Sequence, residues 1–382
     1  MPEKQPDSVS AAPIASPGLG DVSPAGHPPL VEHIRAGLAA AGGWWPFDRF
    51  MAAALHAPGL GYYSRGSRQF GTLPRDGSDF VTAPELSPFF GRALARQVAE
   101  GLEAAQAGEV WEFGAGSGAL AEQLLETLGG RVACYTIVDL SGALRERQQQ
   151  RLARFGSRVR WAGELPASLR GVVVGNEVLD AIPARLLAFD GAAWHERGVA
   201  WHAGRFVFAD RPTTARPPAD GPFVPGTVTE IHEQAEAFVR TLAERLDRGL
   251  LLFIDYGFPQ AEYYHPQRTG GTLMCHRAHR ADADPLSDVG HKDISVHVDF
   301  TGIALAAQDA GLEVLGYTSQ ARFLLNCGLA DGLGEATLVQ RAAALKLITE
   351  HEMGELFKVI ALGRGIALDP LGFSAGDRLH RL

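Results

Sequence analysis

Val110-Trp111-Glu112-Phe113-Gly114-Ala115-Gly116-Ser117-Gly118-Ala119-Leu120 is the stretch on which the reading of this chain turns. An apolar run ends in a carboxylate, glycines follow at every second position, and helical spacing then carries Leu124, Leu125 and Leu128. The pattern predicts strand, tight turn, helix. Glycine has no Cβ and adopts positive φ without steric cost, so a ligand can lie against the backbone while the helix N-terminus aims free N–H groups at it. Such a turn is a cradle for a nucleotide-like cofactor.

Two cofactor families use turns of this kind. Gly114, Gly116 and Ala119 satisfy the dinucleotide pattern G-x-G-x-x-G/A, in which a pyrophosphate rests on the helix N-terminus. Gly114, Gly116 and Gly118, with Ala115 between the first two, satisfy E-x-G-x-G-x-G, which resembles the first motif of class I S-adenosylmethionine (SAM) methyltransferases. Glu112 favours the second reading, because a carboxylate at the strand end suits the cationic amino-acid moiety of SAM and repels a pyrophosphate.

A chain of 382 residues is long enough for one large α/β domain with insertions or for two domains. The formal net charge of -9 argues against a nucleic-acid polymer as partner, since phosphate binding calls for a basic face, but leaves room for a basic peptide. Cys134, Cys275 and Cys327 lie far apart without Cys-x-x-Cys spacing, so neither a disulfide framework nor a metal site is expected. No apolar run reaches the roughly 18 residues that cross a bilayer, and membrane insertion is not expected. Residues 1–29, rich in Pro, Ala, Ser and Gly, have neither an apolar h-region nor an Arg-rich amphipathic pattern. They read as a disordered tail, and the expected location is the cytoplasm.

Apolar spacing from Leu30 to Leu55, broken at Gly42-Gly43, predicts two helices within an N-terminal segment, 30–108, that borders the cleft. The loops around Tyr62-Tyr63 and from Asp79 to Glu85 are either ligand contacts or surface connectors, and a helix is predicted over 87–103. The core segment, 109–184, alternates strand and helix. Its second strand ends at Asp139, placed to accept hydrogen bonds from a ribose or to cap the helix starting near Ser141. Glu164 follows the third strand, as an adenine contact or a solvated turn residue. The fourth strand runs into Asn176-Glu177-Val178-Leu179-Asp180, beyond the carboxyl ends of the strands where ligands bind in open α/β sheets. Asn176 and Asp180 suit helix capping equally well, which leaves Glu177 without a structural role.

Alternating short apolar segments with Gly turns over 185–210 predict antiparallel hairpins, part of an insertion over 185–230 that ends in a Pro-rich connector. The remainder, 231–382, opens with a helix over 230–247 and a strand over 249–257 that contains Asp255 and Tyr256. A second insertion, 258–300, carries several His, including His297, at spacings that fit no zinc motif. A helix near 301–310 and strands over 312–318 and 357–363 end the fold. The predicted class is a Rossmann-like α/β, mostly parallel seven-stranded sheet with an antiparallel last strand, an N-terminal helical segment and an inserted β-hairpin subdomain.

Seven ordered motifs together resemble the MidA family of SAM-dependent methyltransferases: Gly61-Tyr62-Tyr63, Asp79 to Glu85, Glu112 to Gly118, Asn176 to Pro183, Ile254-Asp255-Tyr256-Gly257, Gly271-Thr272-Leu273 and His297-Val298-Asp299-Phe300. The match runs from about Leu30 to Phe357-Lys358-Val359. That family includes the mitochondrial complex I assembly factor that methylates an arginine of a complex I subunit. The resemblance implies that Glu112, Gly114, Ala115, Gly116, Gly118, Asp139, Glu164 and Asn176 bind SAM, with S-adenosylhomocysteine as product. It implies that Asn176, Glu177 and Asp180, on the family's Asn-Glu-x-x-Asp-Ala-x-Pro motif, form the catalytic edge. Tyr62, Tyr63, Asp79, Glu85, Asp255, Tyr256 and His297 are the expected acceptor contacts. The acceptor expected from it is a protein arginine, whose planar cation carboxylates orient by paired hydrogen bonds. A small-molecule O or N acceptor, a non-catalytic SAM-binding assembly module and a dinucleotide oxidoreductase remain open, and the hairpin insertions are compatible with a homodimer.

Overall fold

The structure, a computed structural model, describes residues 26–65, 81–139 and 141–382. The central sheet is organised on Glu109–Phe113 and its neighbour Leu169–Asn176, whose Val172, Val173 and Val174 are almost without accessible surface. Strands apolar on both faces must be covered twice, which is the condition for a parallel sheet. Val159–Ala162, Cys134–Val138, Glu109–Phe113, Leu169–Asn176 and Leu246–Phe258 run parallel in that spatial order. Phe357–Arg364 then pairs antiparallel with Leu246–Phe258 on one side and Glu313–Ser319 on the other. This is the seven-stranded order with one reversed strand that the sequence predicts; Val298–Asp299 adds a short parallel pairing on the end of Leu246–Phe258.

Helices cover both faces. Pro88–Ala105 and Ala119–Leu128 pack one side through residues such as Leu94, Val98, Leu124 and Leu125. Glu233–Arg245 and Phe300–Asp309 pack the other through Val239, Leu242, Phe300 and Ile303. Pro88–Ala105 is capped by Ser87, whose side chain accepts from the Phe89 N–H, with proline in its first turn where no donor is lost.

The first insertion is an antiparallel sheet: Arg185–Phe189 pairs with Trp194–His202 and Val228–Ile231, and Trp194–His202 pairs with Arg205–Pro212. Trp44–Pro46 joins its edge from the N-terminal segment. A separate three-stranded sheet, Met274–Arg277, Arg280–Asp282 and Asp293–Ser295, forms in the second insertion. Glu230 clamps the two insertions together. Its Oε1 accepts from the Thr272 and Leu273 N–H groups at 2.8 and 3.0 Å, and its Oε2 from the Tyr263 hydroxyl at 2.8 Å. Gly271 has φ +72, and a Cβ there would lie 2.4 Å from Glu230 Oε1. The Gly-Thr-Leu motif is thus a backbone latch on a buried carboxylate.

Several boundaries differ from expectation. Residues 1–25 of the expected tail lie outside the described residues, but its last part is structured: Gly26 bridges to Val289 and a helix starts at Pro28 with Leu30 buried. Trp44–Pro46 is a strand between the two N-terminal helices. Val228–Ile231 is also a strand, so the following helix begins at Glu233 and not at 230. Gln320–Asn326 and Leu338–Ile348 were not anticipated. In the latter Leu338, Val339 and Leu345 are exposed while Ala344 and Leu347 are buried, so its apolar residues mark no single face.

Replacing Glu230 by Ala leaves the Thr272 and Leu273 N–H groups without their buried acceptor, while the Tyr263 hydroxyl keeps His232 and Thr272 beside it. At about 1–3 kcal/mol for each stranded group, thermal denaturation is expected to show a loss of at least about 2 kcal/mol. Glu230→Gln, which keeps one carbonyl oxygen, is expected to lose less.

Candidate functional site

Five parallel strands deliver their carboxyl ends to one cavity of about 470 Å³. Its floor is the glycine turn. Gly114, Gly116 and Gly118 have φ of 61, 51 and 83°, in the left-handed region that a Cβ disfavours. Gly118 is the N-cap of Ala119–Leu128 and offers no side chain to its first turn. At Gly114 and Gly116 the backbone is open to the cavity, whereas Gly118 faces Gln148 and Leu152; Glu112, Asp139, Gly163, Glu164 and Leu165 complete this half of the wall.

Glu112 is 2% exposed and accepts one hydrogen bond from the Tyr135 hydroxyl at 2.8 Å. Burial pushes its carboxyl up to about 8, with the Tyr135 hydrogen bond opposing and the Asp139 charge adding to the rise. Asp139 is raised too, chiefly by burial, although its Oδ1 accepts from the Ser141 N–H at 2.9 Å and its Oδ2 from Gln148 Nε2 at 2.8 Å. Asp139 thus supports the start of Gly142–Leu152, whose N-cap is Ser141, while still lining the cavity.

Gln148 was missed by sequence reasoning. It is fully buried, and its Nε2 also donates to the Gly116 carbonyl at 3.0 Å while its Oε1 accepts from Trp161 Nε1 at 2.9 Å. One side chain fixes the glycine turn, the carboxylate after the second strand, and the third strand. The signal was available: Leu144, Gln148 and Leu152 recur at spacing four and form the buried face of an otherwise highly charged helix.

The other half of the cavity is lined by acids. Asn176 ends its strand and Glu177 follows with φ +55, uncommon for a residue with a side chain, held there by its N–H to the Ile254 carbonyl at 2.9 Å. Asn176 Nδ2 donates to Glu177 Oε1 at 3.0 Å and the Tyr256 hydroxyl to Oε2 at 3.3 Å. Even so, burial and then the Asp255 charge push Glu177 up to about 8. Asp180 is pushed well above the carboxylate range by burial and by the charges of Asp255, Asp293 and Glu177. Its Oδ1 and the Oδ1 of Asn176 are buried without a hydrogen-bond partner. Asp293, from the second insertion, also lines the cavity and accepts from the Tyr63 hydroxyl at 2.8 Å.

The expected acceptor residues divide. Tyr63 and Tyr256 line the cavity with Glu177 and Asp180, and His56, His276 and Ser295 join them unannounced. Tyr62 is instead a fully buried member of the N-terminal core cluster. Glu85 lies off the lining, paired with Arg151 at 3.0 Å and bonded to Ser117, because a cation stands beside it. Asp255 is also behind the wall. Its Oδ2 accepts from the Val178, Leu179 and Asp180 N–H groups at 3.0, 2.8 and 3.3 Å, so it shapes the loop that carries Asp180. His297 stacks on Phe258 with rings 5.3 Å apart and, buried, has its pKa lowered to about 4. Asp79 lies outside the described residues. Among the described residues no group of three His, Cys, Asp or Glu side chains is placed to hold a metal ion, and no helix is long and apolar enough to cross a membrane.

Comparison with known proteins fits this geometry. Residues 93–318 match the model of a family described as "putative S-adenosyl-L-methionine-dependent methyltransferase". A Burkholderia thailandensis crystal structure, of a "likely methyl transferase" bound to S-adenosyl-homocysteine, shares 51% identity and a TM-score of 0.90 over 96% of this chain and 100% of that one. The mitochondrial protein arginine methyltransferase NDUFAF7 homolog of Drosophila melanogaster is 26% identical across 96% of this chain and 89% of its own length. The NDUFAF7 protein of Danio rerio is 25% identical across 87% and 86%. These curated relatives are named mitochondrial, which overturns the cytoplasmic expectation.

Glu112 and Glu177 keep their protons in the folded chain up to about 8 and lose them near 4.5 when unfolded. Their contribution to stability is therefore full below 4.5 and is lost as pH rises to about 8. Glu112→Gln, which cannot ionise, is expected to raise the melting temperature of the ligand-free protein at pH 8 and to leave it nearly unchanged at pH 4.5, as read by scanning calorimetry.

Proposed function

This chain belongs to the MidA-like family of S-adenosyl-L-methionine-dependent methyltransferases, and from that premise we propose that its acceptor is an arginine guanidinium on a protein. The observation that carries the proposal is the cluster of carboxylates, half-buried Glu177 with buried Asp180 and Asp293, lining the same cavity as the glycine turn, with Asp180 Oδ1 unpartnered. A cavity that forces acids to hold protons is completed by a cation, and a planar guanidinium satisfies several carboxylate oxygens at once. The names of the curated relatives, protein arginine methyltransferases, support the same acceptor.

The residues present fit the cofactor. The Gly114–Ser117 backbone would hold its amino-acid end beside Glu112, Asp139 would accept from the ribose, and Glu164 would face the adenine. When bound, SAM supplies an electrophilic methyl carbon on a sulfonium.

The chain's own part is to align the acceptor, exclude water and take a proton. Guanidinium is protonated at neutral pH and must release one proton as its nitrogen is alkylated. Glu177, held by Asn176 and Tyr256, fixes the plane of the acceptor, and Asp180 Oδ1 is the oxygen with a free lone pair to receive a hydrogen. Asp255 positions Asp180 through the loop backbone.

Label transfer from SAM into the proteins of cells lacking this chain, followed by acid hydrolysis, is expected to yield methylarginine. Label confined to small molecules would overturn the proposal. Glu177→Gln is expected to abolish transfer while cofactor affinity stays nearly intact; unchanged turnover would remove Glu177 from the mechanism. Because Glu177 must be ionised to grip a cation and holds its proton up to about 8, kcat/KM for the acceptor is expected to fall about tenfold per unit of pH below that value at saturating cofactor.

A further inference from the structure

The second insertion and the Tyr62-Tyr63 loop meet at the acceptor half of the cavity, where Asp293 belongs to the carboxylate cluster but has so far been given no role of its own. Asp293 lies on the Asp293–Ser295 strand, 5% exposed, and lines the cavity with Glu177 and Asp180. Its charge is among those that push Asp180 up, so the two carboxylates are close. Tyr63 donates its hydroxyl to Asp293 Oδ1 at 2.8 Å. The tyrosine ring is held on two sides, stacked on His56 at 5.7 Å and edge-on to Tyr62 at 5.0 Å. A donor fixed in this way sets the orientation of the carboxylate it touches. Burial and the neighbouring acids hold the Tyr63 hydroxyl well above its ordinary pKa, so it remains a donor.

We propose that Asp293, carried beside Asp180 on a different chain segment, is a further acceptor-binding carboxylate for the guanidinium, and that Tyr63 is its positioning residue. The proposal rests on the arginine reading and deepens it. Guanidinium presents five N–H donors in a flat fork, more than one carboxylate can accept. Both oxygens of Glu177 already accept from Asn176 and Tyr256, and Asp180 offers the unpartnered Oδ1. A second carboxylate close to Asp180 lets more of the fork's donors be met at once, and a compact ammonium fills such a site less well. The insertion then selects the acceptor as well as enclosing it.

The test uses the full chain saturated with S-adenosylhomocysteine and two side-chain analogues, N-ethylguanidinium and n-butylammonium, with binding read by ligand-observed NMR and calorimetry. Wild type is expected to bind the guanidinium more tightly than the ammonium. Asp293→Asn, isosteric and uncharged, is expected to weaken guanidinium binding about tenfold or more, as loss of a charged hydrogen bond does, with S-adenosylhomocysteine affinity held within about twofold. Tyr63→Phe is expected to weaken the guanidinium by a smaller factor and to leave S-adenosylhomocysteine affinity alone. Undiminished guanidinium binding in Asp293→Asn overturns the proposal and spares the arginine reading. Equal loss of S-adenosylhomocysteine binding in that variant also overturns it, since the role would then be structural. Ammonium bound at least as tightly as guanidinium overturns the arginine reading alone, and Asp293 is then judged by its effect on the ammonium. If wild type binds neither cation, both fall.

Discussion

A carboxylate withdrawn from water must find a compensating partner or give up its charge, and the cleft of this chain is built around buried Glu112, Asp180, Asp255 and Asp293 with half-buried Glu177 among them. They resolve the conflict differently. Asp255 is surrounded by four backbone N–H groups, from Val178, Leu179, Asp180 and Tyr256, yet burial still raises it to about 7. Glu112 has a single tyrosine hydroxyl, Glu177 an amide, a hydroxyl and the Ala83 N–H, and Asp180 has an oxygen with nothing. The deficit grows from the structural acid behind the wall to the acids that face the cavity. Only the cavity side can be completed by something from outside.

That gradient is set by topology. Parallel strands bring Phe113, Val138 and Asn176 to one edge, so the residues just beyond each strand converge without any direct contact in sequence. The antiparallel insertions close the space over that edge. Glu230 fastens one insertion to the other, and Tyr63, from the N-terminal segment, reaches Asp293 on the far sheet. Segments distant in the chain thus share one enclosed volume, and displacing any of them exposes the acids to water, which would return their charge and remove their preference for a cation.

The sheet was legible because its signal is local: a run such as Val172-Val173-Val174, or glycines at every second position, states its own conformation. The cofactor half of the site was legible for the same reason, since Glu112 to Gly118 and Asp139 lie at fixed offsets from strand ends. The acceptor half was legible only in part. Residue type marked Glu85, Asp255 and Tyr62 as candidates, but whether an acid faces the cavity or turns to an Arg151 or a backbone loop is decided by tertiary neighbours. Asp293 lies in a segment of scattered histidines, and Gln148 in a helix made mostly of charged and polar residues. Both are polar residues on a buried face, where the apolar pattern is interrupted and periodicity says least.

The same acids bear on how the site discriminates among acceptors. A neutral acceptor entering this cavity leaves the carboxylates protonated and gains only hydrogen bonds of ordinary strength. A cation gains the ionised forms, because its charge lowers what burial has raised, and the protons held by Glu177 and Asp180 are released as it enters. Affinity for a cation is therefore linked to pH in a way that affinity for a neutral molecule is not. Between two cations the choice falls to shape. An ammonium concentrates its charge at one point and satisfies one carboxylate well, whereas a guanidinium spreads it over a plane whose edges reach acids on different segments. The placement of Asp180 on the strand-end loop and Asp293 on the inserted sheet favours the planar ion, and the favour lasts only while Glu230 and Tyr63 keep the insertion in place.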